Sequence, residues 1–228
     1  MDVSKKIKGN FKQCLRTIPS AIIKRYVSWL SAPLKHCMKL SVDTCKFPDW
    51  LKNTVITPLF KKGDKTDPSN RRPISSISFF AKMFEIFVNT HLIDFLESNK
   101  ILHPLQFGFR KHNSTSRALL HMQNIITSAF DQKLIPIGVF LDIAKAFDSV
   151  DHNILLYKLE HYGIRINELS WFKSYLENRK HKTFVNGTVS TVQLCNFGVP
   201  QGSNLAPILF LIYINDLYYL QVFASIDA

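Results

Sequence analysis

A short apolar run in the middle of the chain, Ile135–Leu141, does most to limit the folds that this sequence can adopt. It is rich in residues that favour β-strands, and the segments on either side have apolar residues every three or four positions, the spacing of a helix. A strand set among helices predicts a mixed α+β fold. The run ends at Asp142, and a carboxylate at the end of a strand is well placed for catalysis.

Two hairpins and several helices are also predicted. The residues of Val55–Phe60 favour a strand, and the turn formers of Lys61–Asn70 predict that this strand belongs to a basic hairpin. Asn186-Gly187, between β-branched residues, is a strong signal for a second hairpin with a two-residue turn. Helices are predicted in the first 45 residues, where Pro19 and Pro33 would bound the first, at about residues 82–98, 115–132, 152–162 and 167–177, and at Leu205–Leu220 with Ser203 or Asn204 as its cap.

Positive charge is concentrated in the N-terminal third of the chain. The formal net charge is +12, and Lys and Arg outnumber Asp and Glu by 16 to 5 in residues 1–72 but by only 13 to 12 in the remainder. A cationic region attracts polyanions, which predicts a nucleic acid or an acidic membrane surface as partner. Charge alone does not choose between the two.

Cysteine spacing and hydropathy predict a nuclear or cytoplasmic protein that is not secreted. The four cysteines, Cys14, Cys37, Cys45 and Cys195, lack the paired CxxC spacing of a zinc site, and no secretory signal is visible. The most apolar run, Leu205–Leu220, is shorter than the roughly 20 residues that cross a bilayer. We therefore expect no membrane partner.

Seven short motifs follow one another along the chain: Thr57–Asp64 (TPLFKKGD), Arg72–Ser75 (RPIS), Gln106–Arg110 (QFGFR), Ser114-Thr115, Phe140–Asp148 (FLDIAKAFD), Ser174–Leu176 (SYL) and Gly198–Ser203 (GVPQGS). In this order they resemble the motifs of reverse transcriptases of non-long-terminal-repeat retrotransposons, the jockey-like LINE elements. The resemblance extends from Trp50 to about Leu220, roughly three quarters of the chain. Several ordered motifs are far more specific than any one of them.

The resemblance implies a right-hand polymerase fold, of which the chain contains the fingers and part of the palm, with the thumb absent. It divides the chain into a basic helical N-terminal extension, residues 1–49, and a reverse transcriptase domain, residues 50–228. The implied activity is that of an RNA-directed DNA polymerase, a nucleotidyltransferase that adds deoxynucleotides to a primer 3′-hydroxyl. Its implied partners are an RNA template, a DNA primer and deoxynucleoside triphosphates, with Mg²⁺ or Mn²⁺ as cofactor. The oligomeric state stays open.

By the same resemblance, Asp142 is the catalytic metal ligand, and the backbone carbonyl of Ile143 faces the metal. Phosphoryl transfer depends on carboxylate-held divalent ions that position the reacting oxygens and neutralise their charge. An Asp at a strand end suits Mg²⁺, which keeps several waters and takes few protein carboxylates. Without the resemblance, a lone Asp here is more often a helix cap or a turn residue.

The remaining implied site residues bind the deoxynucleoside triphosphate. Phe147 is the steric gate, because a bulky ring beneath the sugar collides with a 2′-hydroxyl; core packing is the alternative. Gln201 contacts the nucleotide, and Gly202 allows a close backbone approach, although the same residues also suit an ordinary turn. Basic residues bind the triphosphate. The planar guanidinium of an arginine fits phosphate oxygens best, whereas for one of the two lysines the alternative is an ordinary solvated surface charge. These residues are Lys61, Lys62 and Arg72.

Phe107, Phe109, Arg110 and Lys111 combine aromatic surfaces with positive charge, which suits binding of a single-stranded template. Core packing of at least one of the two rings is the alternative.

The chain departs from the family near its C-terminal end. The family's next element is a β-hairpin with two adjacent aspartates, whereas the last six residues offer only Asp227. One carboxylate holds hydrated Mg²⁺ weakly and does not fix two ions for in-line displacement. We therefore expect the isolated chain to be inactive through truncation. The alternative function is a noncatalytic nucleic-acid-binding remnant, and a third possibility is a pseudogene product without a stable fold.

Overall fold

The computed structural model describes residues 20–219, which form seven helices and one five-stranded sheet. This is the mixed fold predicted from the sequence. Pro19, which was predicted to bound a helix, and Asp227, the single carboxylate near the C-terminus, lie outside the described residues. In chain order the elements are α1 (Ser20–Arg25), α2 (Val27–Asp43), β1 (Asn53–Phe60), β2 (Arg71–Ser76), α3 (Phe79–Ser98), α4 (Thr115–Asp131), α5 (His152–His161), α6 (Ile166–Leu176), β3 (Arg179–Val185), β4 (Thr188–Val189), β5 (Gln193–Cys195) and α7 (Ala206–Ile214).

Both predicted hairpins are confirmed, and they belong to the same sheet. β1 and β2 pair as antiparallel neighbours. β3 and β4 are joined by Asn186-Gly187, whose φ angles of 48° and 84° are those of a two-residue hairpin turn. β1 runs parallel to β3 from the pair Asn53 and Lys180 to the pair Ile56 and Thr183. The strand order is therefore β2-β1-β3-β4, with β5 also paired to β3.

The four helices predicted between residues 82 and 177 are confirmed, with ends that differ by at most three residues. α3 begins early because the Ser78 hydroxyl accepts a hydrogen bond from the Ala81 amide at 3.1 Å. Ser114 caps α4 in the same way. At α5, the capping carboxylate is that of Asp151, which accepts from the backbone amides of Asn153 and Ile154.

The prediction that Pro33 bounds a helix is wrong, because α2 continues through it from Val27 to Asp43. A proline inside a helix removes one hydrogen bond and costs roughly 3 kcal/mol. Packing offsets this cost. Apolar residues of α2, including Leu30 and Leu34, pack against a buried cluster that α1 and α3 form together.

The predicted strand at Ile135–Leu141 is also wrong, because this segment has no regular secondary structure. Its side chains are largely exposed, with values of 80% for Phe140 and 91% for Leu141. A strand exists only where a neighbouring strand accepts and donates its backbone hydrogen bonds. Within residues 20–219, no strand pairs with this segment.

The main core lies between α3, α5, α6 and α7. The prediction of a core helix near the C-terminus is confirmed for α7, and a 3-10 turn, Asn215–Tyr219, follows it. The Ser203 hydroxyl accepts hydrogen bonds from the amides of Leu205 and Ala206, so it serves as the predicted cap. None of the helices between residues 20 and 219 combines the length and the apolar character that a membrane span needs.

Candidate active site

The two most specific motifs, Phe140–Asp148 and Gly198–Ser203, are in direct contact, although 49 residues lie between them in sequence. The Gly198 amide donates to the Val150 carbonyl at 2.7 Å, and the Val199 amide donates to the Phe147 carbonyl at 2.8 Å. Gly198 has a φ of +80°, and a Cβ atom there would lie 2.9 Å from the Cα of Asp148. Only glycine fits this position without displacing the backbone it faces.

The turn that follows Gly198 is also attached to the sheet. The Ser75 amide, on β2, donates to the Gln201 carbonyl at 2.7 Å, and the Ser203 amide closes the turn on the Pro200 carbonyl at 3.0 Å. A Cβ on Gly202 would lie 2.7 Å from the Ser75 carbonyl oxygen. The Gly198–Ser203 segment therefore joins the loop at Phe147 to β2.

Among the basic residues of the hairpin, Arg71 and Arg72 lie on β2, and Lys61 and Lys62 lie in the loop that follows β1. Arg72 is three residues from Ser75 on β2, about 10 Å along the strand. Its side chain is exposed, as are those of Lys61 and Lys62. Arg71 differs, because its guanidinium donates to the Lys65 carbonyl at 2.9 Å and so holds the hairpin loop.

Phe147 is half-buried between two other rings. Its ring centroid lies 5.3 Å from that of Phe210 on α7 and 6.2 Å from that of Phe109. The ring packs against the main core on one side and keeps an exposed part on the other. Core packing and a contact with a ligand are both compatible with this geometry.

Asp142 lies on the irregular segment before Phe147, and its side chain is exposed. Ile143 is 45% exposed. Asp142 is five positions before Phe147, so their Cα atoms are at most about 18 Å apart. Between residues 20 and 219 there is no group of three His, Cys, Asp or Glu side chains that could hold a metal ion. The carboxylate fits one ligand position of a hydrated Mg²⁺ whose other ligands are waters and phosphate oxygens.

In the aromatic and basic loop after α3, some side chains hold the loop in place and others are exposed to solvent. Arg110 forks onto Glu97 with hydrogen bonds of 2.9 and 2.6 Å, so its guanidinium holds the loop to α3. Phe107 is half-buried beside α4, where it lines a cavity of about 290 Å³. Phe109 is 62% exposed, and Lys111, two residues further along the chain, is exposed as well.

A buried polar cluster lies directly beneath the Pro200–Ser203 turn. Glu85, Tyr175, Arg179 and Ser203 form it, and each is at most 6% exposed. Burial raises the pKa of the Glu85 carboxyl, against the effect of the Asn204 amide hydrogen bond and the Arg179 charge. Burial and the neighbouring Glu85 charge raise the pKa of Tyr175 as well. Tyr175 is therefore a neutral hydrogen-bonding group.

The family model described as "Reverse transcriptase (RNA-dependent DNA polymerase)" matches residues 60–221. This match covers most of the chain and includes all the residues that make the contacts described around Gly198. The chain belongs to the reverse transcriptase family.

Curated relatives of this reverse transcriptase domain come from insect mobile elements. It is 34% identical over 178 residues to the probable RNA-directed DNA polymerase from transposon BS of Drosophila melanogaster, covering 75% of this chain and 19% of the relative. It is 33% identical over 180 residues to the polymerase from mobile element jockey of the same organism, covering 77% and 19%. It is 30% identical over 183 residues to the Pol polyprotein of element R2 from Popillia japonica, covering 80% and 24%. The chain thus spans about a fifth of the length of these relatives.

The reverse transcriptase domain has two features that sequence reasoning missed. The first is Glu85, which the helical spacing of α3 buries completely; a Glu between Phe84 and Ile86 in an apolar helix face was the available signal. The second is a row of cations on one sheet face. Residues directly opposite in a sheet share a face, and the pairs of Asn53 with Lys180 and Val55 with Lys182 put both lysines on the exposed side.

Arg72 lies on that same face, because it is directly opposite Leu59, and alternate β1 residues from Asn53 to Leu59 point to one side. Lys180, Lys182 and Arg72 are all exposed. We call this surface the cationic sheet face. Positive charge is therefore not confined to the N-terminal third of the chain.

Proposed function

We propose that the chain is the fingers and part of the palm of a retrotransposon reverse transcriptase, with a site that binds a deoxynucleoside triphosphate opposite an RNA template. The position of Gly198–Ser203 carries this proposal. This segment contacts the Phe147 loop on one side and β2 on the other. The turn therefore links the Phe147 loop, which is suited to the sugar, to the strand that carries Arg72, which is suited to the triphosphate. The relatives' names as RNA-directed DNA polymerases support the reaction class.

In this proposal the triphosphate binds to the exposed cations of the first hairpin. Arg72 presents a planar fork that binds two phosphate oxygens at once, and Lys61 and Lys62 add point charges from the adjoining loop. Gln201 contacts the nucleotide. The position that a Gly202 side chain would fill is taken by the Ser75 carbonyl oxygen, 2.7 Å away, so this glycine brings the turn against β2.

Phe147 selects deoxyribose. Its ring is held between Phe109 and Phe210, and a ring held by two neighbours does not move aside for a 2′-hydroxyl. A deoxynucleotide therefore fits where a ribonucleotide collides.

Asp142 supplies the metal-binding carboxylate, together with the backbone carbonyl of Ile143. When bound, Mg²⁺ or Mn²⁺ neutralises the triphosphate and lowers the barrier to attack by the primer 3′-hydroxyl. A single exposed carboxylate gives weak affinity for a divalent ion. We therefore expect the isolated chain to bind nucleotide without extending a DNA primer.

The template lies along Phe109 and Lys111, where an exposed ring offers a stacking surface and the lysine a phosphate contact. Phe107 supports the loop from its half-buried position, and Arg110 holds it through Glu97. The division into an N-terminal extension, residues 1–49, and a domain, residues 50–228, belongs to this proposal, as does a nuclear or cytoplasmic location.

Equilibrium binding of dTTP in the presence of Mg²⁺ tests the proposal. The variant Arg72→Gln should weaken binding by roughly 10- to 100-fold, because a charge-assisted hydrogen bond contributes about 1.5–3 kcal/mol. The matched control is Arg71→Gln, which removes the same charge from the neighbouring position, where the guanidinium already binds the Lys65 carbonyl. This control should change the affinity for dTTP by about twofold or less.

Equal losses in the two arginine variants would mean that dTTP senses only net charge, and the proposed triphosphate site would be rejected. Absence of dTTP binding by the unmodified chain would reject the nucleotide site altogether. Primer extension by the isolated chain that disappears in Asp142→Ala would reject the expectation of inactivity.

The cationic sheet face favours a second candidate, a noncatalytic nucleic-acid-binding protein. Binding through phosphate contacts weakens with salt, with a slope of about 0.7 per contact for a single strand. Replacing both Lys180 and Lys182 by Gln should lower the slope for single-stranded RNA by about 1.4. The control, Gln at both Lys100 and Lys133, removes two exposed charges that follow α3 and α4.

An equal change in slope for both pairs of variants would assign RNA binding to net charge and not to this sheet face. This second candidate further requires that RNA binding survive Asp142→Ala. RNA affinity that fell with that variant would favour the polymerase site as the RNA-binding surface.

A further inference from the structure

Glu85 is the most deeply buried acidic residue of the described chain, with no exposed surface at all. It lies on α3, more than a hundred residues before the Gly198–Ser203 segment. A buried carboxylate is costly unless each oxygen receives hydrogen bonds. The partners of its two oxygens therefore show what the residue does.

Both oxygens of Glu85 are directed to the same turn. One accepts a hydrogen bond from the Asn204 backbone amide at 2.9 Å. The other accepts from the Tyr175 hydroxyl at 2.8 Å, and the Tyr175 oxygen lies 2.9 Å from the Ser203 hydroxyl. Ser203 in turn accepts from the amides that begin α7. Glu85 thus holds two consecutive residues, one directly and one through Tyr175.

The turn is consequently fixed from opposite sides. On its outer side, the Gln201 carbonyl accepts from the Ser75 amide, and Gly202 packs against the Ser75 carbonyl. On its inner side, Ser203 and Asn204 are attached to Glu85 and Tyr175. A turn held at one side pivots, whereas a turn held at two sides keeps one orientation.

Arg179 completes the buried cluster. Its guanidinium lies 4.8 Å from the centre of the Tyr175 ring and donates to the Tyr175 carbonyl at 3.2 Å. It supplies a positive charge close to the Glu85 carboxylate. Its second terminal nitrogen has no hydrogen-bond partner among the residues that the structure describes. The guanidinium thus offsets the charge of Glu85 without being bound directly to it.

We propose that Glu85 is a positioning residue of the reverse transcriptase site, which acts through Asn204 and the Tyr175–Ser203 pair to orient Gln201 and Gly202 toward the incoming nucleotide. Glu85 does not touch the ligand, because it has no exposed surface. The inference rests on the nucleotide site proposed above, but its first consequence, an ordered turn, is independent of ligand.

The test uses the complete chain and three variants. Glu85→Ala removes both acceptors and leaves the Asn204 amide buried without a partner. Glu85→Gln keeps the shape: its carbonyl accepts from Asn204, and its amide group donates to Tyr175, which then donates to Ser203. Tyr175→Phe removes the hydroxyl that joins Glu85 to Ser203, and it keeps both the ring in the core and the bond from the Asn204 amide to Glu85. A matched control is Asn215→Ala, which removes another buried hub, bonded to His103, Ile101 and Tyr162 and not to the turn.

Hydrogen exchange of the Ser75 amide is the first readout. This amide donates a hydrogen bond to the Gln201 carbonyl, so its exchange reports whether the turn stays attached to β2. Exchange should accelerate by about tenfold in Glu85→Ala, because the loss of one buried hydrogen bond changes the equilibrium between the attached and the detached turn by about that factor. It should stay within about threefold of the unmodified chain in Glu85→Gln and in Asn215→Ala, with Tyr175→Phe between these values. Unchanged Ser75 exchange in both Glu85→Ala and Tyr175→Phe would overturn the proposal. If Glu85→Ala does not fold, Tyr175→Phe alone decides.

The affinity for dTTP with Mg²⁺ is the second readout. We expect a loss of about tenfold in Glu85→Ala, recovery in Glu85→Gln, and no change in Asn215→Ala at a temperature where all variants are folded. Equal losses of affinity in Glu85→Ala and Asn215→Ala would mean that Glu85 only stabilises the fold. If the unmodified chain binds no dTTP, the proposed nucleotide site fails, and the exchange of Ser75 still decides whether Glu85 orders the turn.

Discussion

Gly202→Ala probes the contact between the Pro200–Ser203 turn and β2 with a single methyl group. The added Cβ would lie 2.7 Å from the Ser75 carbonyl oxygen, a distance at which backbone must move. Gly202 also has a φ of +116°, which an L-residue adopts only with strain. The variant therefore combines a steric clash with a backbone penalty.

The expected loss of stability follows from these two costs. An L-residue in the left-handed region costs about 1–2 kcal/mol, and forcing an extra methyl against a backbone atom costs about 1–3 kcal/mol. If the turn moves away instead, the hydrogen bond from Ser75 to Gln201 is lost, at about 1 kcal/mol. We expect Gly202→Ala to lower the free energy of unfolding by about 3 kcal/mol.

Urea unfolding of Gly202→Ala and of the control Gly187→Ala separates the two costs. Gly187 has a φ of +84°, and a Cβ atom there would have nothing within 4 Å. The control should therefore lose only the backbone penalty of about 1–2 kcal/mol. Losses of equal size in the two variants would show that the turn does not press against β2, and the joined site described above would be refuted.

Three further predictions concern Phe147, α5 and the buried carboxylate. Phe147→Leu should lower the free energy of unfolding by about 1–2 kcal/mol, because the ring packs on Phe210; an unchanged urea midpoint would leave the ring without a packing role. Asp151→Ala should cost about 1 kcal/mol as the lost cap of α5, and Asp148→Ala less; the reverse order would assign the cap to Asp148. Burial raises the folded-state pKa of Glu85, so protonated Glu85 favours the folded state at low pH, and this contribution is lost as pH rises through the raised pKa. The free energy of unfolding of Glu85→Gln should therefore rise relative to the unmodified chain as pH increases from about 4 to about 8, and a difference independent of pH would contradict the raised pKa.

The elements predicted well from the sequence are those that depend on a few neighbouring residues. The helices between residues 82 and 177 were predicted from apolar side chains that recur three and four positions apart. Asn186-Gly187 closes its hairpin because both residues adopt positive φ. Each of these patterns involves only residues that are close together in the chain, so one sequence is enough to recognise it.

The two failed predictions concern elements that depend on distant partners. α2 continues through Pro33 because its apolar face packs on α3, which lies about fifty residues further along. Ile135–Leu141 has the composition of a strand, but a strand needs a paired neighbour, and its own residues do not specify one. Local propensity is decisive only where packing and pairing agree with it.

For the candidate site, sequence motifs indicated which residues matter but not what joins them. The contact of Gly198 with the Phe147 loop fits two motifs that were predicted to work together. Glu85 was not predicted, because its role depends on Tyr175 and Asn204, which are 90 and 119 residues away. A buried hydrogen-bond network becomes visible only when the packing of three helices and a turn is known.

The parallel pairing of β1 with β3 has a consequence for how this polypeptide reaches its native state. Thr54 and Lys180 meet across 126 residues of intervening sequence, so the first hairpin emerges from the ribosome long before its neighbour is made. Closing so large a loop is entropically slow, and until then β1 presents a bare edge to other chains. Production in cells should therefore be limited by aggregation during synthesis, and slower translation ahead of residue 179 would worsen it.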